Sequence, residues 1–193
     1  MTRISHYIVG MAALASVGAS VMATAAQAAD ELGMFSSRGP DLAFAIDKVC
    51  VPYLRQGGTI EGLSGRSGVP EALDGRAAVR LHGFGRVFVA ADPGTRGCVI
   101  VTHKGDGHTA RAEALDALEH SYLLETLTGP NEAILHSRKW SGLNEAYCFR
   151  LDEKVVQVDI TSARDPDSDE ADALRMRLYW SDAEAGKKGV CKA

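Results

Sequence analysis

Two imidazoles and a carboxylate fall within six residues at His103, Asp106 and His108, flanked by Thr102 and Lys104. A histidine beside a carboxylate can act as a base with an orienting acceptor. Two histidines with a carboxylate can also hold zinc and leave one position open for water. The spacing H-x-x-D-x-H is not that of H-E-x-x-H, in which one helical turn brings both imidazoles to the same side. The competing reading is a connector made flexible by Gly105 and Gly107, with His108 near the start of a helix.

A second cluster, Asp165, Asp167 and Asp169, has the D-x-D-x-D opening of a calcium loop. An EF-hand then needs Gly at its sixth position and Glu at its twelfth, and Glu170 and Met176 stand there instead. A solvated acidic loop explains the same residues. Around Ser64, Gly62 begins G-x-S-x-G, but Arg66 takes the place of the last glycine. Gly83 and Gly85 begin G-x-G-x-x-G, but Phe88 takes the place of the third glycine, ahead of a strand rather than a helix. Trp140, Trp180, Tyr147, Tyr179 and Phe149 occupy strand positions and read as packing residues.

The elements that must position these groups follow from periodicity. Leu42, Ile46, Val49, Cys50 and Tyr53 form one apolar helical stripe behind Pro40, which suits a first helical turn. Pro52 is expected to end or kink this helix, and Gly57 and Gly58 to stop it. Thr59 to Gly75 is rich in Gly and Ser and reads as a long loop. From Arg76 the period becomes two, and Val87 to Ala90 should pair with Cys98 to Val101 across a turn at Asp92, Pro93 and Gly94. Leu115, Leu118 and Tyr122 place a second helix at about 109–121. Gly129 and Pro130 close the stretch after it, and strands are expected at 133–140, 146–151, 155–161 and 174–180. The resulting order, α-β-β-α-β-β-β-β, lacks β-α-β alternation. It predicts an α+β fold, an antiparallel sheet with two helices packed on one face.

Four cysteines, Cys50, Cys98, Cys148 and Cys191, are an even number with no C-x-x-C pair, which favours two disulfides over a zinc knuckle or a thioredoxin-like site. Cys50 lies on the inward stripe of the first helix and Cys98 begins a hairpin strand, so these two are paired. Cys148, within a strand, is paired with Cys191, which would pin an otherwise polar tail.

The compartment is read from the other end of the chain. Arg3 precedes an uncharged run from Tyr7 to Val21, and Ala26, Gln27 and Ala28 form an A-x-A cleavage pattern. Residues 1–28 are therefore expected to be a cleaved signal peptide, with 29–193 a single α+β domain in the periplasm or secreted. The apolar run is short and rich in alanine, so no stable membrane anchor is expected after cleavage. The formal net charge of -4 argues against nonspecific nucleic-acid binding, which needs a basic face to neutralise phosphates. No complete catalytic set is visible and no cofactor is expected. These readings converge on a noncatalytic binding, inhibitory or accessory module, with a periplasmic protein or cell-wall component as partner. The rival expectation is a small periplasmic hydrolase, with or without zinc, that uses His103, Asp106 and His108.

Overall fold

In a strand successive side chains point to opposite faces, so each period-two segment supplies one row to a core and one row to the other side. The computed structural model describes residues 38–83, 86–103, 106–134, 141–163, 172–181 and 191, all within one compact unit, Ser37–Ala193. The expected signal peptide, residues 1–28, lies outside the described residues.

Eight strands form one sheet: β1 (Gly68–Leu73), β2 (Arg76–Leu81), β3 (Val87–Asp92), β4 (Gly97–His103), β5 (Glu125–Ile134), β6 (Ser141–Leu151), β7 (Lys154–Ala163) and β8 (Asp172–Trp180). Their order is β1-β2-β3-β4-β8-β7-β6-β5, and every neighbouring pair is antiparallel. The first helix, α1, is a continuous run of Gly39–Phe44, a π-helical segment Ala45–Cys50, and Val51–Gln56. A short helix, α2 (Ile60–Ser64), follows, and α3 (Gly107–Ser121) connects β4 to β5. The chain is thus an α+β protein. Leu42, Ile46 and Val49 of α1 and Ala110, Ala114 and Leu118 of α3 share one buried cluster with Val89, Ile100, Phe149, Val158 and Met176 of the sheet. Both long helices therefore lie on the same sheet face.

Two expectations need correction, and a third is met in one of its two forms: the first helix stops at Gly57, whose φ is 72°, and Pro52 distorts it without ending it. Pro52 lacks an N–H and its ring crowds the preceding turn. A widened turn sits just ahead of it, where Val51 N–H reaches back to the carbonyl of Ile46 rather than to that of Asp47. The stretch from Thr59 to Gly75 is not a long loop. Thr59 caps α2 through its Oγ1, which accepts from Gly62 N at 3.0 Å. Asp74 and Gly75, both at positive φ, then turn β1 into β2. That D-G pair is a two-residue hairpin signal, and Pro70 is tolerated because β1 is an edge strand that need not donate on its outer side. Finally, β5 runs through Gly129 and Pro130 instead of beginning after them. Its pairing with β6 shifts register between Thr126 and Thr128 and between Thr128 and Asn131, as an edge strand carrying proline can. Residues 135–140, Trp140 included, lie outside the described residues.

The expected hairpin is present, with Val87 opposite Thr102 and Ala90 opposite Val99. Between β4 and β8 the pairing skips one residue at Thr102/His103, which sets His103 opposite Asp172. Beside this bulge Gly107 begins α3 so close to the sheet that a Cβ there would sit 2.1 Å from the carbonyl oxygen of Ala163 and 2.7 Å from that of Ala173.

Both disulfides form as paired from the sequence. Cys50–Cys98 ties the π-helical segment to β4 with Cα atoms 5.4 Å apart. Cys148–Cys191 holds residue 191 against β6 on the opposite face, with Cα atoms 5.9 Å apart. Cys191 is further held there, because its N–H donates to Gln157 Oε1 at 3.3 Å and its carbonyl accepts from Ser181 Oγ.

One ion pair crosses the helix–sheet interface. The Glu145 carboxylate is fully buried and receives Arg111 Nε at 2.5 Å and Nη2 at 2.7 Å. Tyr147 OH donates to it at 2.7 Å, and burial together with this charge pushes the Tyr147 phenol up to about 12. The bidentate hydrogen bonds that Arg111 donates to Glu145 hold its guanidinium above its ordinary range.

Reduction should lower the melting temperature substantially, since closing loops with sequence separations of 48 and 43 residues contributes about 4 kcal/mol each in the chain-entropy picture. Cys191→Ser should free the tail and spare Cys50–Cys98, as read by nonreducing peptide mapping. Arg111→Met leaves a buried carboxylate unpaired and should cost about 3 to 5 kcal/mol in urea unfolding. The triple change Arg111→Met, Glu145→Leu and Tyr147→Phe should recover most of that loss.

Candidate functional site

The face of the sheet without helices is built from the complementary set of strand residues. Register places them in rows across the strands: Val99, Arg177, Asp159 and Ala146 form one row, and Val101, Arg175, Thr161 and Asn144 the next. The half contributed by the early strands holds a buried apolar cluster that includes Leu73, Phe88, Val99 and Val101, with the Arg80–Glu71 ion pair beside it. The half contributed by β5 to β8 holds a groove of about 360 Å³, bordered by Asn144, Asp159, Thr161, Arg175 and Arg177 among others.

Ion pairs fix the two arginines. Arg177 donates from Nε at 3.1 Å and Nη2 at 2.8 Å to Asp92 Oδ2, lies over the Tyr179 ring and has Nη1 3.9 Å from Asp159 Oδ2. Arg175 donates from Nε to Asp172 Oδ2 and from Nη2 to Asp74 Oδ2, both at 2.7 Å. Asp74 belongs to the β1–β2 turn, so that turn reaches over this face as far as β8. Asp159 accepts from Gln157 Nε2 at 2.8 Å on one oxygen and from Tyr179 OH at 2.7 Å on the other. Thr161 Oγ1 donates to Asn144 Oδ1 at 2.7 Å.

These contacts perturb the carboxyl groups. Burial works to raise Asp92, but hydrogen bonds from Arg177, Thr95 and Gly94 outweigh it and hold this group below the usual carboxylate range. The hydrogen bond from Arg175 does the same for Asp74.

The groups singled out from sequence occupy different places. His103 Nε2 lies 3.2 Å from Asp172 Oδ1, and its ring packs against Phe88 with centroids 4.7 Å apart. Asp106 is the N-cap of α3: its carboxylate accepts from Thr109 Oγ1 at 2.6 Å, Thr109 N at 2.8 Å and His108 N at 3.1 Å. The Thr109 bonds lower its pKa. His108 is exposed in the first turn of that helix. The carboxylate that meets His103 is thus Asp172, while Asp106 is engaged in capping. Asp165, Asp167 and Asp169 lie outside the described residues, as do Lys104 and Gly105. Among the described residues no three His, Cys, Asp or Glu side chains converge as a cation would need.

Tyr147 and Phe149 are buried on the helix side, and Trp180 Nε1 donates to the carbonyl of Leu54 at 3.1 Å. Sequence reading did not single out Arg175, Arg177, Asp159, Thr161 or Asn144. Their signal was the polar half of the period-two pattern, which is indistinguishable from a solvent face until the strand neighbours are known.

Asp74, Asp92 and Asp106 all have lowered pKa values in the folded chain, so each contributes stability that is fully present above its unfolded value of about 3.9 and is lost as pH falls through its lower folded value. The melting temperature should be flat with respect to these groups between about pH 5 and 8 and fall below about pH 4. Asp92→Asn should lower it at pH 7 and make the acid limb shallower. Circular dichroism melts from pH 2 to 8 check both.

No protein-family model matches this chain, and no curated protein and no solved structure is significantly similar to it.

Proposed function

We propose that this chain is an exported, noncatalytic binding module that works in the periplasm or outside the cell and meets a periplasmic protein or cell-wall component with its helix-free face. Two disulfides support an oxidising compartment. The basic residue, apolar run and A-x-A site before Asp30 support export by the general route. Among the described residues no helix is long and apolar enough to cross a membrane. The observation that carries the binding reading is the groove over β5 to β8, because its side chains are held in place by Asp74, Asp92 and Asp172 before any ligand arrives. Such preorganisation lowers the entropy lost on binding.

A second reading, a small hydrolase, draws on one specific contact: His103 beside Asp172, a base with an orienting carboxylate. In that reading His103→Ala abolishes hydrolysis of a cell-wall substrate. An unchanged rate in that variant removes His103 from the chemistry.

Export and the binding face are tested together. Mass spectrometry of the protein recovered from the periplasmic fraction should show a mature N-terminus at Ala29. A photocrosslinking residue placed at Asn144 should capture material in intact cells, and one at Glu119 on the exposed side of α3 should not. Retention of residues 1–28 would overturn export, and equal capture from Glu119 would overturn the choice of face.

A further inference from the structure

We propose that the groove over β5 to β8 takes a neutral polyhydroxyl ligand, a short stretch of glycan chain; this rests on the reading of that face as the binding surface. The first reason is how charge is arranged. Arg175 sits between Asp74 and Asp172, and Arg177 sits between Asp92 and Asp159. A free anion entering the groove meets guanidinium groups backed by carboxylates. A free cation meets those carboxylates with guanidinium groups already on them. Neither sign of ligand charge finds an unopposed partner, and a nucleic acid finds no excess of basic groups.

Hydrogen-bonding capacity gives the second reason. Both arginines use Nε and Nη2 for their carboxylates, and among the described residues Nη1 of each makes no hydrogen bond. Asn144 accepts through Oδ1 and keeps Nδ2 unspent. Each Asp159 oxygen accepts one hydrogen bond and so retains a lone pair. Donors and acceptors therefore alternate over a small area, on planar groups that cannot rotate freely. A hydroxyl group is donor and acceptor at once, so a row of them matches this alternation. A hydrocarbon ligand would desolvate the same groups and leave them unpaired.

Dimensions are the third. Residues two apart along a strand are about 6.6 Å apart, and neighbouring strands lie about 4.8 Å apart, so β5 to β8 span about 14 Å across three intervals. The groove volume of about 360 Å³ falls in the range of small-ligand clefts.

The test is an NMR titration of the mature protein at pH 7 with five probes: trimers of N-acetylglucosamine, of β-1,4-glucose and of α-1,4-glucose, the galacturonate trimer, and trilysine. At least one neutral trimer should shift the Asn144 side-chain amide and the Arg175 and Arg177 Nε–H signals saturably. Asn144→Ala with Thr161→Val, which leaves both arginine–aspartate sets intact, should weaken that binding at least tenfold while circular dichroism shows an unchanged melt. A melt lowered by the double change moves the test to Asn144→Ala alone, an exposed position, with the same expected direction. Saturable shifts of these signals by galacturonate trimer or trilysine and by no neutral trimer would overturn the ligand class and leave the binding face standing. No shift at these positions with any of the five probes would overturn the glycan ligand, whereas the binding face itself is overturned only by equal crosslinking from Asn144 and Glu119.

Discussion

The pairing of β4 with β8 is the contact on which this structure depends. Every other strand pair joins consecutive strands, whereas this one brings together residues about 75 positions apart, Cys98 with Leu178 and Val101 with Arg175. Closing so long a loop is entropically unfavourable until the contacts on both sides repay it. On the helix side Cys98, Ile100, Met176 and Leu178 supply buried apolar surface. On the other side Arg177 of β8 reaches Asp92 at the end of β3. Cys50 then bolts α1 to β4. Remove that pairing and two separate four-stranded sheets remain, each with an exposed edge.

The same junction explains what could and could not be read from sequence. Helix stripes, the β3–β4 hairpin and both disulfides depend on local period or on a residue's face within its own element, and these were legible. Cys50 was assigned by its place on a stripe and Cys98 by its place at a strand start, with no knowledge of the sheet order. The early hairpin was hidden for a local reason: the Gly and Ser content of 59–75 and its few apolar residues read as a loop and masked the Asp74-Gly75 turn signal. The start of β5 was hidden because Gly129 and Pro130 are breakers in an interior strand and tolerated ones at an edge, and edge position is a property of topology.

The candidate site was not legible because it is a product of register. Arg175, Arg177, Asp159, Thr161 and Asn144 come from three strands, and nothing in the chain announces that Arg177 faces Asp159 or that Thr161 faces Asn144. The more conspicuous residues went to structural duty. Asp106 caps α3, and His103 closes the bulge against Asp172. Charged side chains gathered closely in sequence are often spent on local backbone needs. Those that alternate with apolar residues in adjacent strands are brought together only by folding.

Both outermost strands contain proline, Pro70 in β1 and Pro130 in β5, and β5 also departs twice from regular register. A sheet this wide would otherwise offer two rows of unpaired backbone groups on which another chain could be laid down. Each proline removes a donor, and each irregularity breaks the repeat that an incoming strand must match. The sheet is therefore terminated chemically at both margins. A second chain laid along either rim would meet a missing donor, so growth of the sheet edge to edge is disfavoured.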